Sequence, residues 1–219
     1  MSGHITALKV QKKNKQRINV YLDGEFAFGL PLMAAARLHQ GQWLSDEEIA
    51  HLKAEGAYSL ALDRALRFLA TRPRSVAEVR RRLQRGKFDE AIIERVVRRL
   101  QELEYLDDEA FARYWVENRE TFRPRGPRAL RYELRQKGIS PEIIERVLKQ
   151  VIPEVSARAA LARPMQRWQH LTWPAFRQKA TQYLARRGFS YEVIRKVVLD
   201  AWQDVQGHLP DVENERDTK

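Results

Sequence analysis

Three stretches decide the fold: Leu83-Gln-Arg-Gly86-Lys-Phe88-Asp89, Leu134-Arg-Gln-Lys-Gly138-Ile139-Ser140 and Leu184-Ala-Arg-Arg-Gly188-Phe189-Ser190. Their leucines lie 51 and 50 residues apart. Behind them come Ile92, Ile93, Val96, Val97 and Leu100, then Ile143, Ile144, Val147, Leu148 and Val151, then Val193, Ile194, Val197, Val198 and Ala201. Each set falls at i, i+1, i+4, i+5 and i+8, one apolar stripe on a helix. Gly138 and Gly188 stand where a helix C-terminus needs positive φ, and Ile139 and Phe189 supply the apolar contact that accompanies such a stop. Asp89, Ser140 and Ser190 are expected to cap the next helix, and Pro141 suits its first turn. The first copy departs from this pattern: Gly86 comes one residue early and Lys87 takes the glycine position.

Working outward, a helix is predicted ahead of each pair, over 60–70, 108–119 and 156–168, giving three-helix units of about fifty residues. Toward the N-terminus the periodicity changes. Residues 5–12 and 18–22 read as strands around a polar turn at 13–16, and Asp23-Gly24 reads as a two-residue hairpin turn into Phe26. No strand is predicted beyond Pro31, and Ser45-Asp46-Glu47-Glu48 is a capping box that opens the helical part. The fold class is therefore mainly α: three tandem three-helix repeats in an elongated array, preceded by a small N-terminal β-hairpin module. The expected divisions are a module at 1–57, repeats at 58–103, 104–152 and 153–206, and a disordered acidic tail at 207–219.

The chain of 219 residues carries 40 Lys and Arg against 29 Asp and Glu, a net charge of +11 that favours polyanionic partners. The absence of Cys removes disulfides, thiol nucleophiles and Cys-ligated metal sites. The longest uncharged apolar stretch, 26–36, contains Gly29 and Pro31 and is too short to span a bilayer. No signal-peptide pattern opens the chain, so a soluble cytoplasmic protein without membrane contact is expected. Enzymatic motifs are lacking: there is no phosphate-binding Gly-Lys-Ser/Thr loop and no Gly-rich dinucleotide fingerprint. The five histidines are scattered. Asp107-Asp108-Glu109 suits a helix start better than a metal. No catalytic residue, metal or cofactor is predicted. Trp115 and Trp202 are expected to pack in cores, whereas Trp168 and Trp173, flanking a turn, leave packing and base stacking both open.

Charge sorts by helix. The second helices, taken as 76–87, 128–137 and 177–187, hold 13 cations and two acids, Glu78 and Glu133. The third helices, taken as 89–100, 141–150 and 191–202, hold seven of each sign, with acids toward their N-termini. A helix-turn-helix reader would place those N-termini against base edges, where carboxylates are unfavourable, so sequence-specific readout is disfavoured. Arg128, Arg131 and Arg135 share one helix face, and Arg81 pairs with Arg85 at i, i+4. A solvated face explains any single arginine. A basic helix recurring in three units suits a long anionic partner, either nucleic acid or an acidic protein groove.

In this setting Tyr105-Leu106-Asp107-Asp108, Phe111-Ala112, Arg125-Gly126, Leu134 and Lys137-Gly138-Ile139 carry a resemblance to the bacterial RecX family, regulators of the RecA recombinase. The Arg72–Arg74–Ser75 approach to a basic helix and the hairpin ending Asp23-Gly24-Glu25 resemble longer members of that family. The likeness runs over roughly 5–203 and is densest over 62–150. Glu104 departs from it, standing where a Gly usually precedes the Tyr-Leu-Asp-Asp run. The resemblance implies a non-catalytic protein of tandem three-helix units that binds the RecA–single-stranded DNA filament; a monomer is expected. It would inhibit RecA ATPase, strand exchange and co-protease activities, restraining recombination and the SOS response. Contacts with RecA or the DNA backbone are then expected at Arg72, Arg74, Arg80, Arg81, Arg82 and Arg85, at Arg123, Arg125, Arg128, Arg131, Arg135 and Lys137, and at Arg186 and Arg187. Arg125 equally suits a loop tether, while Tyr105, Leu106 and Phe111 are expected to pack. The competing reading is an autonomous helical-repeat protein that binds nucleic acid without sequence specificity.

Overall fold

The structure is a computed structural model that describes residues 2–12 and 14–206. The tail expected at 207–219 lies outside the described residues. Two compact units are present, Met1–Asp107 and Asp108–Lys219.

The first unit opens with antiparallel strands β1 (Gly3–Val10), β2 (Arg17–Leu22) and β3 (Glu25–Pro31). Asp23 and Gly24 carry φ of 47° and 91°, the two positive values that a tight β2–β3 turn requires. A short helix α1 (Leu32–Ala35) follows, and then β4 (Trp43–Leu44) pairs with the start of β1, so the order is β3-β2-β1-β4. This corrects the expectation that no strand follows Pro31: two residues have no periodicity to detect, and only pairing with Gly3 and His4 makes them a strand.

Ser45 caps α2 (Asp46–Leu69) in a reciprocal box with Glu48. The helix predicted over 60–70 is the second half of this single 24-residue helix. Ile49 and the half-buried Leu52 pack against the sheet, whereas Ala61 and Ala65 belong to the first repeat's core. Two features tie sheet to helix. A Cβ on Gly56 would collide with the Gly29 carbonyl oxygen, so only glycine permits this approach. Arg17, 7% exposed, donates to the carbonyls of Gly29 and Gly56 at 3.0 and 3.1 Å. Burial lowers its pKa, with Asp63 acting in the opposite direction.

The remaining helices come in threes. Helices α2, α3 (Val76–Gln84) and α4 (Glu90–Glu102) enclose Val79, Leu83, Ile93, Val96, Val97 and Leu100. In the second unit α5 (Asp108–Phe122), α6 (Pro127–Gln136) and α7 (Pro141–Leu148) enclose Phe111, Leu130, Leu134, Ile144 and Val147. Then α8 (Pro153–Trp168), α9 (Trp173–Arg186) and α10 (Tyr191–Gln206) enclose Leu161, Phe176, Leu184, Phe189, Ile194 and Val197. Leu83, Leu134 and Leu184 are each fully buried, and each contributes about 1.5–3 kcal/mol of burial.

The three joints share one hydrogen-bond pattern. The carbonyls of Leu83, Leu134 and Leu184 accept from the amides of Phe88, Ile139 and Phe189 at 3.5, 3.1 and 3.3 Å. The residue between helices has positive φ: Lys87 58°, Gly138 79° and Gly188 83°. Glu104 repeats the geometry at the end of α4, with φ of 59° and the Tyr105 amide donating to the Leu100 carbonyl at 2.8 Å. Both departures from glycine thus keep the turn and force a side chain into the left-handed region. Ser140 and Ser190 accept from amides three residues on, but Asp89, at the same position, makes no side-chain cap. Leu106 and Phe111 are buried as expected, while Tyr105 is 60% exposed: its amide closes the turn and its ring points outward. All of Trp115, Trp168, Trp173 and Trp202 pack against cores, which assigns the two turn-flanking tryptophans to packing.

Candidate functional site

The cations expected at the site divide according to what the neighbouring helix offers. Arg80 of α3 donates to Glu94 of α4 at 2.7 Å, and Arg131 of α6 binds Glu145 of α7 through two bonds of 2.6 and 2.9 Å. These pairs occupy the same place in their repeats and bridge the second helix to the third. The bond to Arg131 is the main reason that the Glu145 pKa is lowered. Arg125 lies 3.0 Å from Glu133, which also accepts from Arg119 and from the Trp115 indole at 2.7 and 2.8 Å. The Lys137 ammonium stands 4.6 Å from the centroid of that indole. Arg187 donates to the Pro124 carbonyl at 3.0 Å and lies over the Tyr183 ring. These five side chains serve the scaffold in the structure.

Arg81, Arg82 and Arg85 of the α3 region, Arg123, Arg128 and Arg135 around α6, and Arg186 of α9 are exposed. Arg81 and Arg85 fold back onto carbonyls of their own helix, at 3.1 and 3.3 Å. Arg82 belongs to a crowded set of like charges in the first unit. Arg74 lies over Phe68, 3.8 Å from the ring centroid, with Arg82 5.7 Å from the same ring. Arg72 binds Glu78 at 3.0 Å. Arg74 donates one bond, to Thr71 at 2.9 Å, and its buried Nε has no partner. Its pKa is lowered first by burial and then by Arg72 and Arg82, with Glu78 opposing. A guanidinium held among cations with a donor unused is an arrangement that an anion relieves.

In the second unit the loop holding Arg123 and Arg125 meets the end of α9. The Gly126 amide donates to the Arg187 carbonyl at 2.9 Å, and the Arg128 amide to the Gly188 carbonyl at 3.3 Å. Glycine at 126 is required because a Cβ there would strike the Gly188 carbonyl oxygen. Arg187 is thereby brought to the loop of the preceding repeat, 63 residues away in sequence. Of the face read from the sequence as Arg128, Arg131 and Arg135, the first and last remain exposed. Sequence reasoning did not single out Phe68 as the platform for Arg74, nor Glu133, which gathers two arginines; both depend on contacts between helices. No group of three or more metal-ligating side chains occurs among the described residues. Nor is any helix among them long and apolar enough to cross a membrane.

An antiparallel β-module followed by three three-helix units, with guanidinium groups exposed on the second helices, defines a helical-repeat protein. Comparison with known proteins is specific. Residues 3–45 match the regulatory protein RecX N-terminal domain, and 61–100, 107–148 and 155–198 match the first, second and third RecX three-helix domains. The regulatory protein RecX of Bacillus subtilis is 32% identical over 87% of this chain and 74% of its own length. That of Lactobacillus gasseri is 34% identical over 92% and 78%. A crystal structure of regulatory protein RecX superposes with a TM-score of 0.67 at 30% identity, covering 89% of this chain and 98% of that one. RecX from Lactobacillus salivarius shares the fold at a TM-score of 0.60 and 23% identity, over 66% and 96%. The chain belongs to the RecX family of regulatory proteins.

Proposed function

We propose that the chain regulates RecA by binding the RecA–single-stranded DNA filament and inhibiting its ATPase, strand exchange and co-protease activities, which restrains recombination and the SOS response. It acts in the cytoplasm as a monomer, through binding rather than catalysis. Family membership supports RecA as the partner. The observation that carries the choice of surface is the arginine set around Phe68, where Arg74 lies 3.8 Å from the ring centroid with an unused donor, and is destabilised as a cation first by burial and then by Arg72 and Arg82 against the pull of Glu78. Arg72, Arg74, Arg81, Arg82 and Arg85 form the contact in the first unit, and Arg123, Arg128, Arg135 and Arg186 those in the second. Arg80, Arg125, Arg131, Lys137 and Arg187 hold these surfaces in place.

The test is single-stranded-DNA-dependent ATP hydrolysis by RecA with the protein titrated in. Wild type should inhibit. Arg82→Ala/Arg85→Ala, folded because both side chains are exposed, should need at least about tenfold more protein for equal inhibition, about 1.4 kcal/mol. Absence of inhibition by wild type, together with tight, salt-steep binding to naked DNA, overturns the proposal in favour of an autonomous nucleic-acid binder.

A further inference from the structure

The third repeat breaks the rule that organises the other two. Counting from the shared leucines, Arg80 and Arg131 correspond to Thr181, and Glu94 and Glu145 correspond to Arg195. The ion pair that bridges second and third helices twice is therefore lost, and a cation stands where a carboxylate stood. Three other positions change in the same place. Arg98 and Lys149 become Leu199, Glu90 and Pro141 become Tyr191, and Val76 and Pro127 become Arg177.

The outcome is an open groove of about 770 Å³ between α9 and α10. Trp173, Pro174, Ile194 and Val198 line it, with Leu199 and Tyr191 exposed at 48% and 65%. Arg177 and Arg195 line it too, both exposed, and no carboxylate is among its described lining residues. An exposed leucine and tyrosine flanked by cations cost solvation without adding to the third core, which Ile194 and Val198 already fill from beneath. Of the acids that adjoin it, Asp200 is held by Arg158 at 3.1 Å, and Glu192 stands exposed beside Tyr191, outside the lining.

We propose that this groove docks an acidic peptide segment of a partner protein, one that places an aliphatic or aromatic side chain on Leu199 and Val198 between carboxylates reaching Arg177 and Arg195. Such a segment completes from outside, with reversed polarity, the arginine–carboxylate bridge that the first two repeats complete internally. Charge complementarity excludes a basic partner. Base stacking is disfavoured because the Trp173 ring is engaged, stacked with Phe176 and packed on Trp202 with centroids 6.4 and 5.5 Å away. The proposal concerns a surface apart from the Phe68 arginine set and stands whether or not RecA is the partner of that set.

The experiment uses the full chain and a fluorescein-labelled peptide of roughly twelve residues, rich in Glu and Asp with Leu or Phe at every third or fourth position. Its controls are the same peptide with Lys for every acid and a short oligothymidylate. Wild type should bind the acidic peptide at least about tenfold more tightly than the lysine peptide. Thr181→Arg/Arg195→Glu, which rebuilds the bridge of the other repeats, should weaken binding at least about tenfold while keeping the wild-type melting temperature. Leu199→Lys, which installs the type of residue found in those repeats, should weaken it similarly and serves if the double variant fails to fold. Equal binding of both peptides, or unchanged binding by a folded variant, overturns the proposal. So does displacement of the peptide from the groove by the oligothymidylate, which assigns the groove to nucleic acid instead.

Discussion

Replacing Lys87 by glycine should stabilise the first repeat. Lys87 sits at φ 58° in the joint where the other two repeats have Gly138 and Gly188 at 79° and 83°. A Cβ-bearing residue in the left-handed region costs about 1–2 kcal/mol. Glycine returns about 0.5–1 kcal/mol of that through the extra freedom of the unfolded chain. The net gain is about 0.5–1 kcal/mol, a rise of roughly 2–8 °C in the unfolding of a unit of this size. Native-state hydrogen exchange at the α3 and α4 amides is the assay, because it reads this repeat apart from the others. Lys87→Ala separates the causes. It removes the same charge beside Arg82 and Arg85 but keeps the Cβ, so it should leave protection unchanged. Gly138→Lys, the same balance reversed, should destabilise the second repeat by about 0.5–1 kcal/mol. Unchanged protection in Lys87→Gly, or an equal gain in Lys87→Ala, would refute the backbone argument and make charge repulsion the cause.

Two further outcomes follow from the second unit. Gly126→Ala should push α6 away from the Gly188 carbonyl, break the bonds to Arg187 and Gly188, and lower urea stability by about 2 kcal/mol or more; a change below about 0.5 kcal/mol would show that this joint yields freely. Glu145, whose folded pKa is lowered chiefly by the bond from Arg131, contributes stability above the ordinary glutamate pKa of about 4.3 and loses it as pH falls through the lower folded value. The melting-temperature difference between wild type and Glu145→Gln should therefore be largest at neutral pH and vanish in acid, and a difference that grows in acid would contradict the assignment.

The repeat, the helix pairs and their joints are legible in the sequence because these follow from local rules: apolar spacing selects a buried face, positive φ selects a stop, and in the second and third repeats a serine after it selects a start. It also exposed the two irregular joints, since Lys87 and Glu104 stand where glycine is cheapest, and their φ values of 58° and 59° show that the turn prevailed over the side chain. Which arginines are bonded within the protein and which stay exposed followed from tertiary packing. Arg131 and Arg135 are one helical turn apart and look alike in sequence, yet Glu145 of the next helix is hydrogen-bonded by the first and feels the second only through its charge. Such pairing depends on the distance and rotamers of side chains on separate helices, which periodicity does not encode. For the same reason β4 came only with its partner strand, Tyr105 turned outward while Leu106 turned in, and Arg187 reached a loop 63 residues away. The groove of the third repeat lies between these cases. Its substitutions, Thr181 and Arg195, are plain in the aligned repeats, but only the packing of α9 on α10 shows that together they open a space.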